Sequence, residues 1–243
     1  MSNVTKFSSD QVYVYMLVID ESGSMDGDER NVRAGIQNLK ESLQGFPESN
    51  SIVISICKFN EYFYQGDFQK VEEISTNYSA AGGTALYRSI KAAADYLQKY
   101  LNAIRRLNKI EPTAVTYFLL SDGMSSGGCI DMDEKQGQKL CKEVIENLNL
   151  QGINTAFVAF GTAINSKFGE NLGFKATIDI KNRNQLLEFL GVHLSESIKN
   201  QSQRLEPLGA NFFSKAAGYS SASEGYSNTT AQALEDDSWI DDI

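Results

Sequence analysis

Residues 13–25 read YVYMLVIDESGSM, and the fold is decided by the change of character in the middle of that stretch. From Tyr13 to Ile19 every side chain is aromatic, β-branched or otherwise apolar, with no period-two alternation. A strand of that composition is covered on both faces, as in a parallel sheet. At Asp20 the polarity inverts, and Glu21, Ser22, Gly23 and Ser24 follow. Open α/β sheets bind their ligands at the carboxyl ends of such strands. Short carboxylate and hydroxyl side chains admit a small hard cation or a phosphate there, and the Asp20 carboxylate argues against the phosphate. The turn reads as half of a metal site.

The same pattern returns in residues 113–121, TAVTYFLLS, which run directly into Asp122-Gly123. In a parallel sheet, two strands that each end in an aspartate present both carboxylates at one edge. Between them, Val32, Ile36, Leu39 and Leu43 recur at helical spacing, with Gly45 and Pro47 as the stop. Residues 51–60 read as a second buried strand, and residues 61–65 as a short segment turning back antiparallel at a sheet edge. The Gly82-Gly83 loop leads to Thr84, placed as the N-cap of a long helix marked by Leu86, Ile90, Ala93, Leu97, Leu101 and Ile104. Residues 105–112 read as a basic surface connection. Beyond Asp122 come a helix on Leu140, Val144, Ile145 and Leu148, a strand over residues 153–160, a weaker strand over 175–180 and a closing helix over 184–199. Alternation of this kind demands crossover connections. The expected fold is a three-layer, doubly wound α/β sandwich with a mostly parallel central sheet and one antiparallel edge strand.

A chain of 243 residues can bury one substantial core, and 42% hydrophobic with 22% charged residues is ordinary for a globular protein. The expected organisation is an N-terminal arm over residues 1–10, one domain over 11–200 and an acidic tail over 201–243. The net charge of −9 disfavours nucleic acid and anionic membrane as partners. Seven acids against Arg204 and Lys215 give the tail a net −5 of that charge. Its composition from residue 212 onward predicts disorder. Residues 235–243, EDDSWIDDI, carry the only tryptophan, Trp239. They read first as a solvated tail with no role of its own, and otherwise as a peptide that docks on a second protein or as a source of acid for the metal site of the same or a neighbouring molecule.

No apolar run approaches the roughly 20 residues that span a bilayer, and residues 1–10 lack the apolar core of a signal peptide. Cys57, Cys129 and Cys141 show no CxxC pairing and read as reduced, buried thiols, which points to the cytoplasm. His193 stands in the closing helix apart from any motif, so no Ser-His-Asp or Cys-His system is expected.

Asp20-x-Ser22-x-Ser24, Thr84 after a glycine pair and Asp122-Gly123 after an apolar strand together resemble the metal-ion-dependent adhesion site (MIDAS) of von Willebrand factor A domains. The resemblance covers residues 10–200, in order, spacing and element context. It implies that Ser22, Ser24 and Thr84 offer hydroxyls to a divalent ion, Mg²⁺ with Mn²⁺ or Ca²⁺ as alternatives. Asp20 and Asp122 would act largely through bridging waters and hydrogen bonds. It further implies a non-enzymatic module, of the intracellular microbial kind, that binds a protein partner's Glu or Asp through the ion. Glu21 has no part in the motif and is expected to face solvent. The alternative is a Mg²⁺-dependent phosphotransferase with Asp20 as nucleophile, against which Ser22 stands where an acidic general acid/base is usual. A nucleotide-binding domain is disfavoured by the lack of GxxxxGK[ST] or GxGxxG after a strand.

Overall fold

Alternate side chains of β1 (Tyr13–Asp20) enter two different cores. Val14, Met16 and Val18 pack under helices α2 (Leu86–Asn108) and α3 (Glu134–Leu150). Tyr13, Tyr15, Leu17 and Ile19 pack under α1 (Glu29–Gln44) and the closing helix. Both faces being buried, every residue of β1 is apolar until Asp20, which is why the sequence shows no alternation. The computed structural model describes residues 11–126 and 131–203.

β1 lies at the centre of the sheet, parallel to β2 (Ile52–Phe59) on one side and to β5 (Ala114–Ser121) on the other. β6 (Asn154–Phe160) and β7 (Ala176–Ile180) continue the parallel order beyond β5. The expected antiparallel edge strand is present in two pieces, β3 (Phe63–Tyr64) and β4 (Gln69–Lys70), both paired with β2. Gly66 is the reason for the break. A Cβ there would lie 2.1 Å from the Ile56 carbonyl oxygen, so the chain presses on β2 without continuing the ladder. The fold is therefore the expected three-layer α/β arrangement, with a mostly parallel sheet flanked by helices.

α1 stops at Gln44 as Gly45 and Pro47 predict. The long helix runs past Ile104 to Asn108, so Arg105 and Arg106 belong to its last turn rather than to a connection. Arg105 there holds Glu111 through two nitrogens. A short helix the sequence did not announce, α4 (Ser166–Asn171), is capped by Asn165 and precedes β7. The closing helix comprises α5 (Arg183–Glu188), a π-helical turn over Phe189–His193 and α6 (Leu194–Ser202). It sits against α1 where two glycines permit close approach: a Cβ on Gly35 would meet Leu190 at 2.7 Å, and one on Gly191 would meet Asn38 at 2.8 Å. Cys57 and Cys141 are fully buried free thiols, as expected. Cys129, the N-terminal arm and the tail beyond Gln203 lie outside the described residues.

Candidate metal centre

The chain steps from β1 to β2 in one direction and later returns to place β5 on the opposite side of β1. A crevice opens at the carboxyl ends of the strands wherever the order reverses in this way. Asp20 ends β1, and Asp122 follows the last residue of β5, so both carboxylates flank that crevice.

A line of short contacts connects them. Asp20 Oδ1 accepts from the Ser22 backbone N–H at 2.9 Å, which closes a turn of the kind aspartates favour. Ser22 Oγ and Ser24 Oγ are 3.0 Å apart, and Ser24 Oγ donates to Asp122 Oδ1 at 2.8 Å. Thr84, nearly buried, is carried on the neighbouring loop. Among the described residues its hydroxyl makes no hydrogen bond to the other four, but its loop is fastened beside them. Gly23 N–H donates to the Gly82 carbonyl at 2.9 Å, Thr84 N–H donates to Ser126 Oγ at 2.8 Å, and the Thr84 carbonyl accepts from Ser126 N–H at 2.9 Å. A Cβ on Gly23 would lie 3.1 Å from that same Gly82 oxygen, and Gly82 has φ +79°, so the approach of the two loops depends on both glycines.

Three supporting residues escaped sequence reading. Ser121 Oγ donates to Asp20 Oδ2 at 2.6 Å, and the Tyr78 hydroxyl donates to the Asp20 carbonyl. Asp131 takes the role assigned to Thr84 at the start of α2. Ala85 occupies the cap position without a side-chain bond, and Asp131 accepts from the Tyr87 and Arg88 N–H groups at 2.8 and 3.2 Å. Thr84 is thereby left out of helix capping.

Glu21 does not face solvent. It is 6% exposed, accepts from Lys58 Nζ at 3.0 Å and from Ser79 N–H at 2.7 Å, and its own N–H donates to the Phe59 carbonyl. The pair locks the Asp20 turn to β2 and to the loop before Thr84. Removing one partner of a shielded pair leaves an uncompensated charge. Because Lys58 remains 26% exposed, Lys58→Met is expected to cost about 1–2 kcal/mol in urea unfolding. Adding Glu21→Gln should recover most of that loss.

The electrostatics of the crevice are one-sided. Burial is the main cause that pushes Asp20 up to about 6, against the opposing effect of its Ser121 and Ser22 hydrogen bonds, and Asp122 adds to the rise. Asp122 is raised too, first by burial and then by Asp28, with the Ser24 bond opposing. Among the described residues no Lys or Arg pairs with either carboxylate; Lys58 is engaged by Glu21 and Arg183 by Asp28. A cation between them would relieve the charge that no side chain balances.

The donor set also fits a small ion. Octahedral Mg²⁺ with oxygens at 2.0–2.1 Å has adjacent oxygens about 2.9 Å apart. The two serine hydroxyls stand at 3.0 Å. Backbone and fold alone are shared with solved structures of other proteins. The pilus adhesin SpaC from Lactobacillus rhamnosus GG superposes with a TM-score of 0.62 at 14% identity, over 81% of this chain and 32% of that one. The PilB minor pilin from Streptococcus sanguinis gives 0.55 at 12% identity, over 84% and 65%. Proximal thread matrix protein 1 from the mussel byssus, solved with a zinc-occupied MIDAS motif, gives 0.51 at 14%, over 79% and 46%.

The fold is von Willebrand factor A-like. The chain spans from about a third to two thirds of the length of these proteins. No protein-family model and no curated protein matches the sequence. Among the described residues no helix is long and apolar enough to cross a membrane.

Proposed function

We propose that the protein is a non-enzymatic, divalent-metal-dependent interaction module, and that Ser22, Ser24 and Thr84 hold the ion through hydroxyls while Asp20 and Asp122 hold it through water and hydrogen bonds. The observation that carries this reading is the line from Asp20 through Ser22 and Ser24 to Asp122, which sets two hydroxyls at octahedral spacing between two uncompensated carboxylates. When bound, the ion supplies a positive charge that neutral hydroxyls leave largely exposed. A partner's Glu or Asp then completes its coordination. Mg²⁺ is the proposed occupant, with Mn²⁺ or Ca²⁺ as alternatives. The metal-bearing motif in the mussel protein and the adhesive role of SpaC agree with this assignment. Two buried free thiols, Cys57 and Cys141, favour a reducing compartment, and we assign the module to the cytoplasm of a microbial cell.

Access at Asp20 speaks against the phosphotransferase alternative. A nucleophilic Asp20 needs a free carboxylate oxygen facing the substrate. Its side chain is fully buried, with Oδ1 taken by Ser22 N–H and Oδ2 by Ser121 Oγ. The experiment is calorimetric titration with Mg²⁺ and Mn²⁺, followed by capture of proteins in cation and in chelator. Binding of neither ion, or capture that ignores chelation, would remove the reading.

Proton and metal compete for the same group. Asp20 lies above its ordinary value of 3.8 in the folded protein, so its contribution to stability in chelator is present below about pH 4 and lost as pH rises through about 6. The loss amounts to up to about 3 kcal/mol. Comparison of wild type with Asp20→Asn in chelator isolates it: the two should match at low pH and separate in favour of the variant above pH 6. Saturating Mg²⁺ should reverse the order.

A further inference from the structure

The crevice has an apolar margin that metal coordination does not use. Tyr62 and Tyr64 are 66% and 45% exposed, with their rings edge-to-face at 6.5 Å. Their place relative to the site is fixed by register. Asp20 is level with Phe59 across β1 and β2, and Phe59 is level with Phe63 across β2 and β3. Two strand spacings of about 4.8 Å therefore put the tyrosine ridge about 10 Å from the Asp20 turn. The turn between β2 and β3 is tied to the Thr84 loop, because Glu61 Oε1 accepts from Gly83 N–H at 3.1 Å. Ridge and crevice are thus parts of one rigid edge.

A peptide that reaches both must offer, on one face, a carboxylate and a large apolar side chain about 10 Å apart, which is three residues, one turn, of polyproline II chain. Residues 235–243 of this chain, EDDSWIDDI, contain that spacing: Asp236 stands three residues before Trp239, and Asp237 three before Ile240. Reach is sufficient. α6 ends at Ser202, whose carbonyl accepts from the Tyr13 hydroxyl at the far end of β1 from Asp20. The eight residues of β1 cover about 25 Å, whereas the roughly 30 residues from Gln203 to Asp236 extend to about 100 Å. A tethered segment meets its site at an effective concentration near millimolar.

We propose that residues 235–243 occupy this edge of their own molecule, with Asp236 or Asp237 directed to the metal and Trp239 laid on Tyr62 and Tyr64. The proposal rests on the metal-dependent reading above. Because Asp20, Asp122 and Glu61 make the edge acidic, the acidic segment docks only when a cation is bound, and chelation releases it. A partner must therefore displace the segment, which sets a threshold on its affinity.

Trp239 is the only tryptophan, so its fluorescence reports the segment alone. In the full chain, titration with Mn²⁺ should raise its anisotropy and move its emission to the blue, with a midpoint equal to that of Mn²⁺ binding by calorimetry and no change on dilution. Tyr62→Ala/Tyr64→Ala and Asp236→Asn/Asp237→Asn should each lose the signal and still bind one Mn²⁺, more weakly than wild type because docking and ion binding reinforce one another. The second variant should also bind a labelled synthetic peptide of residues 233–243 at least about tenfold more tightly than wild type does. Mn²⁺ binding with an unmoved Trp239 signal, or a signal that persists in either variant, overturns the docking and leaves the metal site standing. A signal that grows with protein concentration assigns the segment to a second copy and overturns the proposal as stated. Absence of Mn²⁺ binding overturns both readings.

Discussion

Asp20→Ala is expected to erase the thermal stabilisation that Mg²⁺ or Mn²⁺ gives the wild-type protein. An ion at one hundred times its dissociation constant stabilises a folded state by about 2.7 kcal/mol. For a chain of this size that raises the melting temperature by roughly 5–10 °C. The variant lacks the carboxylate that fixes Ser22 through its backbone N–H, so the first hydroxyl loses its orientation along with the buried negative charge. Its melting temperature should be the same in cation and in chelator. In chelator it should not fall far below wild type, since removing a buried charge offsets the loss of the Ser121 and Ser22 hydrogen bonds. Scanning calorimetry of both proteins in both buffers checks the prediction. A cation-induced shift that survives the substitution would exclude Asp20 from the site.

Gly137→Val is expected to give the largest loss of stability of any single change considered, about 4 kcal/mol and roughly 10 °C. Gly137 lies on the face of α3 turned toward α2, where a Cβ would come within 2.2 Å of Tyr87 Cδ2 and 2.5 Å of its Cγ. Those atoms lie near the root of a fully buried ring, so rotation about the side chain does not clear them. The Tyr87 backbone is held as well, its N–H bonded to Asp131 at 2.8 Å. The strain therefore has to move one helix against the other. Gly45→Ala is the control: its Cβ meets nothing within 4 Å and φ is −80°, so the change should be nearly neutral. Urea denaturation of the pair separates close packing from the general effect of replacing a glycine.

Much of the fold was readable because it is written locally. A continuous apolar strand ending in aspartate, twice, together with helical spacing on α1, α2 and α3, leaves few topologies open. The residues that went unread act across long separations. Glu21 is adjacent to a polar turn and looks solvent-facing until the register of β1 with β2 brings Lys58 beside it. Asp131 caps a helix that begins more than forty residues earlier, and no local spacing marks such a cap. Thr84 had the right residue type and position for the same task, so the local rule chose it. Ser121 was within reach of sequence reasoning: aligning the two strand endings sets it level with Asp20. The π turn over Phe189–His193 packs against Gly35 of α1, a contact that periodicity does not encode.

The break at Gly66 bears on how this molecule behaves when concentrated. An intact, flat outer strand offers unpaired N–H and C=O groups to any other chain and so seeds fibre growth. Here the outer ladder on the β2 side consists of two two-residue fragments with a kink between them, and β7 at the opposite margin is short and flanked by Lys175 and Lys181. Both margins are therefore poor templates for a further strand, and copies of the protein brought together are expected to meet through side chains before backbone.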